Sequence, residues 1–342
     1  MSQVQVKPRT VLTNLILIAT IFSILVIGLG AYTRLVHAGL GCPDWPLCYG
    51  HFWAPEQGGE LTQANVKFPD APVDLDKTWP EMTHRYLATS LGVLCIAILW
   101  LGIRARKEDH SVPIKHATGL LAFIILQGLF GMWTVTLKLW PQVVTLHLAG
   151  GFTTFCLLLL LYLRMRPRSA SLNTSSRARV LAGLSLVVVA LQVLIGGWLT
   201  SNYAAMACVE LPLCKIDHLT KADFFQGFDV LQQIGPNYLG GQLDGDARIA
   251  IHATHRFGAI ASMIVLLSLA FMLKKLQHSW ALIVLLALTT IQVGLGITNV
   301  YFSLPLFNAV AHNITGALLL ACLVWINFNL RSGKNVTREK GD

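Results

Sequence analysis

Eight long apolar runs decide what this chain can become. They lie at about residues 11–31, 86–103, 117–137, 143–163, 180–200, 253–273, 280–300 and 307–330. A run of roughly 18 or more apolar residues is long enough to cross a bilayer as a helix. The expected fold class is therefore an all-α membrane protein with eight transmembrane helices. Only 13% of the residues are charged against 54% hydrophobic, which excludes an ordinary soluble domain. The first run is long enough to span and no small-residue cleavage site follows it, so it reads as a span and not as a cleavable signal peptide. The ten residues before it lack the Arg- and Ser-rich character of a transit peptide.

The formal net charge of +9 would suit a nucleic-acid partner until its position is considered. The N-terminus, residues 104–116, 164–179 and 274–275, and the C-terminus hold 17 of the 26 Lys and Arg. Those segments hold only four acids: Glu108, Asp109, Glu339 and Asp342. This is the positive-inside pattern. It predicts a multi-pass protein of the bacterial inner membrane, with both termini cytoplasmic and the large loops, 33–82 and 201–250, periplasmic. The basic excess is topology; membrane lipid, not nucleic acid, is the expected surrounding.

The chain also repeats itself. Thr83-His84-Arg85-Tyr86 recurs as Thr254-His255-Arg256-Phe257. Gln127 and His147 recur as Gln292 and His312, and Cys42 and Cys48 as Cys208 and Cys214, displaced by about 165 residues. Two tandem, pseudo-symmetric four-helix bundles follow, residues 1–170 and 175–330, with a cytoplasmic tail over 331–342. An even number of spans per repeat puts both halves in the same orientation. Residues 164–179 form a basic, Ser-rich tether without structure of its own. The histidines fall within the first turns of spans that enter from the outer side, which places the two imidazoles of each half at similar depth.

Ionisable groups inside a membrane are costly and tend to be functional. A lone histidine there is usually a hydrogen-bonding or proton-relay residue; four, paired and repeated, point to axial ligation of haem iron. Zinc fits poorly, since a closed site wants four ligands at one point. Arg85 and Arg256 read either as snorkelling interfacial residues or as partners of haem propionates. Glu81 lies three residues before His84, on the same helical face, where the second half has His252. It is a helix-dipole partner or a catalytic group. Each Cys-x5-Cys segment reads as a local disulfide, Cys42–Cys48 and Cys208–Cys214, or as a reducible pair serving a thiol-disulfide partner. Cys95, Cys156 and Cys322 read as apolar packing residues.

Taken together, the eight spans, the four histidines, Glu81-Met-Thr-His84 and the loop cysteines resemble the haem A synthase family over nearly the whole chain. The resemblance implies an oxidoreductase that converts a ring methyl of haem O to a formyl group through successive hydroxylations, for cytochrome oxidase biogenesis. It implies that His84 and His147 hold the substrate haem O, and that His255 and His312 are axial to a resident haem b. It makes Glu81 the essential carboxylate, and a haem O synthase and cytochrome oxidase assembly factors the partners; a homo-oligomer is left open. A di-haem b electron-transfer protein of the quinol oxidoreductase kind explains the histidines equally well, but gives no reason for Glu81 or the loop cysteines. A transporter would carry charge near mid-bilayer, where these spans have almost none.

Overall fold

The computed structural model describes residues 8–166 and 174–332. Among these residues the chain forms eleven helices and no strand: α1 (Pro8–Leu35), α2 (Gly58–Lys67), α3 (Leu75–Glu108), α4 (Ile114–Thr136), α5 (Pro141–Met165), α6 (Ser176–Ser201), α7 (Ile216–Leu219), α8 (Phe224–Gly227), α9 (Gly245–Lys275), α10 (Ser279–Tyr301) and α11 (Leu306–Ser332). Eight of them, all but α2, α7 and α8, are long and apolar enough to cross a membrane. Within hydrocarbon a helix satisfies every backbone polar group internally, which is why apolar runs of this length take this form. Residues 167–173 of the basic tether, and the tail beyond 332, fall outside the described residues.

The helices pack in two sets. α1 contacts α3 and α5, and α4 contacts the same two; α6 contacts α9 and α11, and α10 contacts the same two. Each set thus closes on itself. The sets meet where α5 lies on α6 and where α11 lies on α1 and α5. Lipid tails are as apolar as leucine, so helix association here depends on close packing and on hydrogen bonds between helices. Asn327 on α11 donates to the Ala182 carbonyl of α6 at 2.8 Å. Thr145 on α5 and Ser201 on α6 share a hydrogen bond of 3.0 Å. Ile18, Leu25, Val93 and Phe271 are exposed on the outer surfaces of the spans, as lipid contact requires. Cys95, Cys156 and Cys322 are unpaired and buried in the packing.

The spans run further than the apolar runs that announced them. α3 begins eleven residues early, at Leu75, where the Asp74 side chain accepts from the Asp76 N–H at 3.1 Å and so caps the helix. α9 likewise begins at Gly245. His84 and His255 therefore stand about three turns inside their helices, deeper than the first turns expected for them. Hydropathy marks where a helix becomes apolar; the cap marks where it begins.

Candidate haem site

His84 on α3 and His147 on α5 face each other with ring centres 6.4 Å apart and planes at 89°. Two imidazoles on opposite faces of one iron, each bonded at about 2 Å, stand about 6 Å apart between ring centres. The pair has the spacing of a bis-histidine site. Each imidazole lies over a glycine of the preceding span. A Cβ added at Gly30 would stand 2.8 Å from Cε1 of His84, and one at Gly131 would stand 3.2 Å from Cε1 of His147. In the second half, Gly196 and Gly296 would meet Cε1 of His255 and His312 at 3.1 and 3.3 Å. A Cβ would crowd all four rings, and at Gly30 something would have to shift.

Three of the four rings are also met by a glutamine one turn before that glycine. The Gln127 amide nitrogen lies 3.0 Å from Nδ1 of His147 and donates to the His147 carbonyl at 2.6 Å. Gln192 does the same for His255, at 3.1 and 2.8 Å. Gln292 lies 3.3 Å from Nε2 of His312. The buried Oε1 atoms of Gln192 and Gln292 and the Nδ1 atoms of His84 and His312 have no hydrogen-bond partner. Orphaned acceptors beside imidazoles fit a metal site. A neutral imidazole bound through one nitrogen presents its other N–H, which needs an acceptor such as a carbonyl. The ring spacing in the N-terminal half, and the donor atoms left unpartnered in both halves, fit a haem.

Glu81 sits one turn from His84 and is almost fully buried. Its Oε2 accepts the Cys42 N–H at 2.9 Å, and its Oε1 pairs with Arg85. Arg85 also donates to the carbonyls of Asp44 and Leu47, at 3.0 and 2.8 Å, inside the Cys42–Cys48 disulfide loop. The loop is thus clamped onto α3. Beneath it, burial and then the neighbouring Glu81 and Asp74 push the Tyr49 phenol up to about 12, which keeps it neutral. It donates to the Gly41 and Pro72 carbonyls.

The second half repeats this clamp with other chemistry. The Cys208 N–H donates to Nδ1 of His252 at 3.3 Å. Arg256 donates to the carbonyls of Cys208, at 2.7 Å, and of Glu210, inside the Cys208–Cys214 disulfide loop. Of the two arginines, read from sequence as snorkelling residues or propionate partners, Arg85 divides its terminal nitrogens between loop carbonyls and Glu81, and Arg256 directs both of its own to loop carbonyls. Sequence reasoning overlooked Gln192 and the four glycines. The signal was available: Gln-x3-Gly occurs at 127–131, 192–196 and 292–296, with Val26 and Gly30 at the fourth place.

Comparison with known proteins agrees in outline. Residues 13–324 match the family of cytochrome oxidase assembly proteins. A haem A synthase of Shewanella oneidensis is 47% identical over 325 residues, covering 93% of this chain and 96% of the relative. Haem A synthases of Beijerinckia indica and Wolbachia pipientis are 27% and 24% identical, covering 88% and 92% of this chain and 87% and 91% of their own lengths.

Proposed function

The chain belongs to this cytochrome oxidase assembly family and, within it, to the haem A synthases; from that premise we propose how its two halves divide the work of oxidising haem O to haem A. Residues 1–170 bind the substrate, with His84 and His147 on either side of its iron. In residues 175–330, His255 and His312 would hold a resident haem b, which would supply one-electron redox capacity. The protein spans the bacterial inner membrane with both termini in the cytoplasm and the disulfide loops in the periplasm, as the charge asymmetry favours. A haem O synthase supplies its substrate and cytochrome oxidase assembly factors take its product.

The observation that carries this division is the acid found on one side only. The conversion of a ring methyl to a formyl group removes electrons and protons from one carbon and adds oxygen to it. Glu81, one turn from His84, is a carboxylate able to orient water and accept a proton there. The matching position in the other half is His252, beside a pair better suited to holding a low-spin haem than to turnover. Burial of Glu81 against Arg85 fixes the carboxylate and excludes bulk water from it.

The test is chromatography of haems extracted after co-expression with a haem O synthase. Haem A formed from haem O supports the synthase. Haem b alone, with haem O left unchanged, would return the chain to a di-haem electron-transfer role, and absence of any haem would reject both.

A further inference from the structure

The two imidazoles of the N-terminal half are not held alike. Gly30 and Gly196 each lie against the histidine of the following span, His84 and His255, so α1 and α6 are in matching register. One turn earlier α6 carries Gln192, and α1 carries Val26. Gln192 touches both the ring and the carbonyl of His255. Val26 has no polar side chain, and only its main-chain carbonyl lies against the His84 ring. His147, across from His84, has Gln127.

We propose, building on the assignment of haems above, that Gln192 and Gln127 are positioning residues that lock their imidazoles onto iron, and that Val26 leaves His84 as the exchangeable ligand through which substrate haem enters and product haem leaves. An amide serves both conditions of a ligating histidine. Its NH₂ donates to a bare ring nitrogen, and half a turn of its terminal torsion brings Oε1 to accept an N–H once the other nitrogen is on metal. Such a partner fixes the tautomer and orientation of the ring and raises its basicity. The Val26 carbonyl can accept the N–H of a bound ring but has nothing to donate to a bare ring nitrogen, so only a glutamine holds its imidazole in both conditions. The asymmetry falls where the chemistry needs it, because a substrate haem has to depart after each turnover and a resident haem does not.

The experiment uses the full-length protein in detergent micelles, loaded with haem b and mixed with excess apomyoglobin, with haem transfer followed by absorbance. Wild type is expected to lose haem in two phases, the fast one from the N-terminal half. Val26→Gln should slow the fast phase by about tenfold or more. Gln192→Met, nearly isosteric but without donor or acceptor, should speed the slow phase by a similar factor, in line with second-shell effects on metal affinity. Gln192→Met should also shift the low-spin electron paramagnetic resonance signal of the resident haem, which a purely structural role would leave in place. Two phases within twofold of wild type in haem-loaded, folded variants would overturn the proposal. If Val26→Gln does not fold, Gln192→Met decides alone. A folded wild-type protein that retains no haem would instead reject the haem assignment itself, and this proposal with it.

Discussion

In the N-terminal half a carboxylate, Glu81, receives the N–H of the first loop cysteine; in the C-terminal half an imidazole, His252, receives its counterpart. The surrounding parts are otherwise matched: a disulfide loop, an arginine donating to loop carbonyls, and a histidine one turn further along the helix. Both side chains can accept a hydrogen bond, so both can seat the loop. What differs is a negative charge paired with Arg85, which a neutral imidazole does not carry. Loop anchoring therefore accounts for the position, while the choice of Glu over His is left for chemistry to explain.

The largest expected effects come from removing axial ligands. His255→Ala or His312→Ala should abolish the low-spin haem b signal and haem A formation together. His84→Ala or His147→Ala should abolish haem A while keeping haem b. Pigment spectra and extracted-haem analysis read both, and identical losses in the two halves would break the division of labour. Next comes exchange of the anchors. Glu81→His should keep the loop seated while haem A yield falls roughly 10²-fold, because the imidazole brings no negative charge to pair with Arg85. His252→Glu should leave most of the yield intact. Equal sensitivity at both positions would mean that the anchors are structural alone.

The loop disulfides give the smallest effects. Each closes a short loop, so replacing a pair with serine should lower stability by about 2 kcal/mol, measured by denaturant unfolding. Cys42→Ser/Cys48→Ser should also reduce haem A yield, because that loop holds the N–H on Glu81. Cys208→Ser/Cys214→Ser should change stability with little effect on yield. Activity lost equally from both would point to a redox task for the pairs.

Much of this was readable beforehand because the membrane imposes it. All eight spans were visible as hydropathy, and the four histidines as ionisable groups in apolar surroundings. The early starts of α3 and α9 were less visible, because polar first turns capped at residues such as Asp74 carry no hydropathy signal. The arginines' loop contacts were hidden for a related reason: Arg85 and Arg256 beside presumed ligands suggest snorkelling or propionates, and only the folded loops reveal carbonyls within their reach. Gln192 escaped notice because the repeat was read through matched residues, and its counterpart, Val26, does not match. A difference between repeats is legible only once contacts such as Gly30–His84 and Gly196–His255 fix the register.

The central claim is that the charge on Glu81, and not its place under the loop, sustains the chemistry. Glu81→Gln tests it most directly, since the amide keeps an acceptor for the Cys42 N–H and nearly the same shape. The measurement is haem A formed per bound haem, with haem content and low-spin spectrum recorded on the same sample. The account predicts unchanged haem b and a fall in haem A of roughly 10²-fold or more, with Glu81→Asp partly active. Near-normal haem A from the Gln variant would contradict it and leave Glu81 as a loop anchor.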